Sequence, residues 1–151
     1  MSTKEKLVVE AIQNGTVIDH LPAHHTLLAV ELLTNEKDCF FIGVNLASQS
    51  KENKGIIKIE DKILDKRELE ILASLSPKST VNIIENYKII SKFNPDIPDE
   101  AVGLFVCRNN NCITNNEPVT TRFKLNHEEH YCCYCERSFP IEKLKVNRPT
   151  L

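Results

Sequence analysis

An α+β fold in two unequal units follows from three features of this sequence. Apolar runs rich in β-branched residues alternate with two helical patterns across residues 1–93. A segment with two prolines and three acids, Asn94-Pro95-Asp96-Ile97-Pro98-Asp99-Glu100, can neither continue a helix nor join a central strand. Cysteine usage is lopsided: Cys39 stands alone, while Cys107, Cys112, Cys132, Cys133 and Cys135 crowd the last third. The expected organisation is therefore a first unit at 1–93, a linker at 94–100 and a small β-rich, metal-binding unit at 101–151.

Leu7 to Ile12 and Gly15 to Ile18 read as strand, being apolar and β-branched. Pro22 sits where a helix can begin, with Leu27, Leu28, Val30, Leu32 and Leu33 as its expected buried face. Cys39 to Leu46 is a second strand, and a polar loop leads to a third at Ile56 to Ile59. Asp65 and Glu68 have the spacing of a capping box opening a second helix, buried through Leu69, Leu72 and Leu75 and stopped by Pro77. Thr80 to Phe93, rich in Ile, Val and Tyr, reads as one last strand. Strand, helix, strand, strand, helix, strand is the ferredoxin-like βαββαβ order, with both helices on one sheet face. The other face needs a cover, and self-association is a natural one.

Composition narrows the function. Hydrophobic residues make up 41% and charged residues 26%, ordinary for a globular protein. Nineteen basic against twenty-one acidic residues create no field that would draw the chain to nucleic acid or membranes. The N-terminus MSTKEKLVVEAI lacks the apolar core of a signal peptide, and no run approaches the roughly 20 apolar residues that span a bilayer. A cytoplasmic address is expected, where cysteines serve metals better than disulfides.

Cys107-x4-Cys112, nineteen intervening residues and Cys132-x2-Cys135 form two close pairs, the pattern of a tetrahedral zinc site. Cys133 would leave a one-residue gap to Cys135, so Cys132 is the expected ligand. His127 and His130 lack Cys2His2 spacing and read as exposed loop residues. Four thiolates leave no position for water or substrate, so one structural zinc per chain is expected. A unit this small buries too little apolar surface to be secure alone, and zinc can add roughly 10 kcal/mol or more. A zinc-ribbon nucleic-acid binder is a weaker reading, since residues 101–151 hold seven basic and five acidic residues and no evident aromatic platform. Thiol chemistry at Cys132-Cys133-Tyr134-Cys135 is weaker still.

The first unit has four glycines and no phosphate-binding glycine motif, so any phosphate must meet side-chain cations such as His20, Lys54, Lys58 and Lys92. Taken alone, each lysine is a solvated charge, and His20 beside Asp19 is a strand-end ion pair.

The stretches VEAIQNGTVIDHLP (Val9 to Pro22) and CRNNNCIT…EPV…CCYCE, with GVNL, IIKIE and TVNIIENYKIISK in order between them, resemble the regulatory chain of aspartate carbamoyltransferase over nearly the whole length. The resemblance implies a non-catalytic subunit in pyrimidine biosynthesis that forms a homodimer and binds CTP and ATP in one pocket, with UTP as a further effector. It places Ala11, Ile12 and Tyr87 at the base, Val9, Asp19 and Lys58 near the ribose or base, and His20 with Lys92 at the triphosphate. Asn82, Ile84 and Ile89 match pocket-wall positions, and Lys54 a second nucleotide. It also implies that the zinc domain contacts the catalytic chain through Asn109, Asn111 and Glu136. His24, His25 and Cys133 depart from the family pattern, and the loop from Ala47 to Gly55 is shorter. Neighbours on a regular strand face opposite ways, so Asp19 and His20 can share a ligand only at a bulge or strand end. The same parity argument predicts a bend near Glu85-Asn86.

Overall fold

The computed structural model describes residues 11–46 and 54–147. Residues 7–10, with Val9, and most of the loop from Ala47 to Gly55 lie outside them, while Ala11 and Ile12 have no regular structure. The first unit runs β1 (Gly15–Pro22), α1 (Ala23–Leu33), β2 (Phe40–Leu46), β3 (Lys54–Glu60), α2 (Lys66–Leu75), β4 (Thr80–Glu85) and β5 (Lys88–Phe93). Its sheet has the order β2-β3-β1-β4-β5, with every neighbouring pair antiparallel. The first four strands therefore have the ferredoxin-like arrangement, and β5 extends its edge.

That fifth strand corrects the sequence expectation of a single strand from Thr80 to Phe93. The chain reverses at Asn86 (φ 50°) and Tyr87 (φ 65°), two successive left-handed residues whose geometry suits a tight hairpin. Asparagine tolerates this region, and the turn is pinned from outside: Asn86 N–H donates to Asn14 Oδ1 (3.1 Å) and Tyr87 N–H to the Gln13 carbonyl (2.9 Å). Asn-Tyr carries none of the glycine signal that usually marks such a turn; the bend expected near Glu85-Asn86 is a full reversal held by partners from another segment.

α2 begins as expected. Asp65 Oδ1 accepts from Glu68 N–H at 2.8 Å, and Glu68 Oε1 accepts from Asp65 N–H at 3.2 Å. Such a cap is worth about 1 kcal/mol. α1 has no side-chain cap and follows directly from Pro22. Its approach to β3 needs Gly55, where a Cβ would fall on the Thr26 side chain.

Ile57, Ile18, Val81 and Phe93 form one row across β3-β1-β4-β5 and pack under Ala29, Val30 and Leu33 of α1 and Leu72 of α2. The buried face of α1 differs from the expected one. His25, Thr26, Ala29, Val30 and Leu33 are buried, whereas Leu27 is 60% exposed. Leu28 and Leu32 are partly buried against a second core instead. The helix has two apolar stripes because two different bodies press on it.

The second body comprises β6 (Glu100–Val102), β7 (Phe105–Val106), α3 (Ile113–Asn116), β8 (Arg122–Lys124), β9 (Glu129–Cys132), β10 (Ser138–Pro140) and β11 (Lys145–Val146). A four-stranded sheet β10-β9-β8-β6 and a β11-β7 pair enclose Phe105 and Phe123, whose rings meet edge to face at 5.8 Å. Leu144, Val146 and three cysteines complete this core, and Leu75 at the end of α2 belongs to it as well. No helix among the described residues is long and apolar enough to cross a membrane.

Candidate metal centre and polar sheet face

The sulfurs of Cys107, Cys112, Cys132 and Cys135 all lie within 4.8 Å of one another. Cys107 Sγ is 3.6 Å from Cys135 Sγ, and Cys112 Sγ is 3.8 Å from Cys132 Sγ. Four thiolates held about 2.3 Å from one ion at tetrahedral angles stand about 3.8 Å apart, so the cage has the size a thiolate-bound ion requires. Cys133 is half-buried and is not in this group.

The protonation chemistry favours a cation too. Burial pushes the Cys107 and Cys132 thiols up, and hydrogen bonding among the sulfurs adds to it. Burial acts the same way on Cys112 but is outweighed by hydrogen bonds from the Thr114 hydroxyl (3.1 Å) and backbone, which bring it down to about 7. Four thiolates this close together, three of them buried, cannot coexist without a counter-charge, and a divalent ion supplies it. Cys133→Ser is expected to retain the ion and Cys132→Ser to lose it, as elemental analysis of the purified chains would measure. The reverse result would overturn this choice of knuckle.

Asparagines build the first knuckle. Asn115 Nδ2 donates to the carbonyls of Cys107 (2.8 Å) and Asn109 (2.9 Å), and Asn116 Nδ2 to those of Asn110 (3.0 Å) and Cys112 (2.9 Å). The expectation of an exposed His130 is incorrect. His127 is exposed, but His130 is 0% exposed and lies against Phe105. The density of asparagine around Cys112 was a readable signal for the knuckle, whereas the burial of His130 depends on a distant carbonyl.

The helix-free face of the first sheet gathers the other candidates. Lys58, Val17, Asn82 and Lys92 pair directly across β3-β1-β4-β5, so they form one row on one face. Ile84 pairs with Ile89 in the next row, after a register shift between Ile83 and Ile84. Asp19 follows Val17 by two residues on β1 and so shares the face. His20 joins the same edge through a bulge between Ile18 and Leu21, where its φ is 60°. Lys54 reaches Asp19 at 3.1 Å, and burial lowers the Lys58 amine while Asp19 opposes the shift. Asn82 is 7% exposed, and its Oδ1 has no hydrogen-bond partner among the described residues. Tyr87 lies at the exposed hairpin turn, Ile12 is buried and Ala11 is exposed.

Two family models divide the chain at the same point as the fold. The aspartate carbamoyltransferase regulatory chain allosteric domain matches residues 7–96, and the metal binding domain of that chain matches residues 99–145. Regulatory chains from Thermococcus kodakarensis (40% identical, covering 95% of this chain and 98% of the relative) and Porphyromonas gingivalis (41%, with the same coverage) align along nearly the full length. One from Tolumonas auensis is 40% identical over 94% of this chain and 96% of the relative. The chain belongs to the aspartate carbamoyltransferase regulatory chain family. It is a regulatory, non-catalytic chain with an allosteric and a metal-binding domain. Within this family frame the polar sheet face falls in the allosteric domain, and the cysteine cage in the metal-binding domain. Asn111 and Glu136 are exposed on the two cysteine loops, near exposed Ile113 and Tyr134, while Asn109 is half-buried and braces its own loop.

Proposed function

We propose that residues 1–93 sense CTP and ATP, with UTP as a further effector, on the polar sheet face. Residues 101–151, organised by one structural zinc, dock on the catalytic chain of aspartate carbamoyltransferase, and 94–100 link the two. The observation that carries the sensing role is the Lys58-Val17-Asn82-Lys92 row, with cations at both ends and a buried, unpartnered Asn82 Oδ1 between them. An unsatisfied buried acceptor is costly, and a ligand donor such as an exocyclic amine relieves it. His20 and Lys92 meet the triphosphate, Ala11, Ile12 and Tyr87 the base, and Val9, Asp19 and Lys58 the ribose or base. Ile84 and Ile89 wall the pocket, and Lys54 serves a second nucleotide. Four-thiolate coordination suits zinc in a closed structural site. Asn109, Asn111 and Glu136 contact the catalytic chain. A second copy covers exposed apolar surface of the edge strand β5, including Ile90. The setting is cytoplasmic.

Lys92→Ala and Lys58→Ala are each expected to weaken CTP and ATP together, because both nucleotides share the phosphates and sugar. Loss of a charged contact costs about 1.5–3 kcal/mol, roughly tenfold or more in affinity. Calorimetry with unchanged affinity in both variants would refute the pocket.

A further inference from the structure

Two histidines from opposite ends of the chain hold adjacent carbonyls where α2 stops. His25 in the first turn of α1 places Nδ1 3.0 Å from the Leu75 carbonyl. His130 in β9 places Nε2 2.8 Å from the Ser74 carbonyl. The last carbonyls of a helix have no partner within it, and here two imidazoles supply the donors. The His130 tautomer follows from its other nitrogen: Nδ1 accepts from Asn126 N–H at 3.2 Å, so the ring proton lies on Nε2 and points at Ser74.

The position of this bond gives it a consequence. His130 is fully buried, its ring lies 5.2 Å from that of Phe105, and it precedes Cys132 by two residues on the same strand. Ser74 precedes the turn that leads into β4, a turn closed by Ser79 N–H and Ser79 Oγ on the Ser76 carbonyl (3.0 and 2.8 Å). That strand carries Asn82. A short path therefore runs from the cysteine cage through His130 and Ser74 to the centre of the polar row. Around it, Leu28, Leu32, Ile71 and Leu75 make apolar contacts that can slide with little penalty, whereas a buried hydrogen bond is directional and fixes register.

We propose that His130 is a positioning residue which, through the Ser74 carbonyl, couples the state of the nucleotide face to the metal-binding domain. This rests on the nucleotide reading above.

The test uses the full complex with catalytic chain, carrying His130→Leu or His130→Gln. Glutamine keeps an amide donor at the reach of Nε2, and leucine keeps only bulk. Both variants are expected to retain the ion, assemble, and bind CTP with wild-type affinity in calorimetry. In His130→Leu the CTP-induced change in half-saturating aspartate should fall by a factor of about two or more, and in His130→Gln it should persist. A full response in His130→Leu, or equal loss in both variants, would overturn the coupling and leave the apolar contact as the carrier. Should His130→Leu fail to fold, the wild-type chain labelled with ¹⁵N-histidine decides: CTP must shift the His130 Nε2–H resonance, and an unmoved resonance overturns the proposal. A wild-type complex that binds no CTP would remove the nucleotide reading and this coupling with it. Normal binding with an intact response in the leucine variant removes the coupling alone.

Discussion

Stripping the metal, by a chelator or by Cys112→Ser, is expected to unfold residues 101–147 and abolish assembly with the catalytic chain. The core of this region is built from Ala101, Phe105, Phe123, Leu144, Val146 and the cysteines Cys107, Cys112 and Cys132, so three of the four ligands are also packing residues. Its strands have two to four residues each, too short to persist without the cage. Structural zinc contributes about 10 kcal/mol or more to such domains, which exceeds what this core supplies alone. The allosteric domain keeps its own core of Ile18, Leu21, Ile57, Ile59, Leu72 and Val81, and it should remain folded and bind nucleotide. Circular dichroism, co-elution with catalytic chain and calorimetry would follow the three outcomes. A Cys112→Ser chain that still assembled would show that metal does not organise the docking surface.

Acid is expected to destabilise the chain through His25. Burial, with His24 beside it, pushes this ring down to about 4, against the upward pull of the Leu75 carbonyl and Glu142; His130 lowers it slightly further. Lys78, His127, Glu128 and Glu129 line the same cleft. The native ring is neutral, so below its ordinary pKa of about 6.5 the unfolded chain takes up a proton that the folded chain refuses. Stability is therefore intact above pH 6.5, falls as pH drops from 6.5 towards 4, and levels below that. A depression of this size corresponds to about 3 kcal/mol at about 1.4 kcal/mol per unit. His25→Asn keeps a donor near Leu75 without an ionisable ring. The difference in unfolding free energy between wild type and variant should therefore change by about this amount between pH 6.5 and 4. Parallel profiles would show that His25 is not held neutral.

The elements that sequence alone determined are those written by local chemistry. The capping box of α2 needs only Asp65 and Glu68, three residues apart, and it forms as expected. The cage follows from two pairs of cysteines, because few other arrangements of closely spaced thiols satisfy a tetrahedral ion. The order from β1 to α2 was likewise readable from hydrophobic periodicity, and the family from the motifs around residues 9–22 and 107–136.

Tertiary structure decided what depends on partners far along the chain. Asn86 and Tyr87 reverse direction because Gln13 and Asn14 receive their amides, and a single strand became a hairpin. α1 turns Leu28 and Leu32, not Leu27, towards the core of the metal-binding domain from the other end of the sequence, and its buried His25 meets the Leu75 carbonyl of α2. Lys58, Asn82 and Lys92 came into one row only when strand register was set, and register is fixed by which residues the helices cover. His130 is the sharpest case. Nothing in its local sequence distinguishes it from exposed His127, yet it is buried because a carbonyl fifty-six residues away offers the acceptor that makes burying an imidazole tolerable.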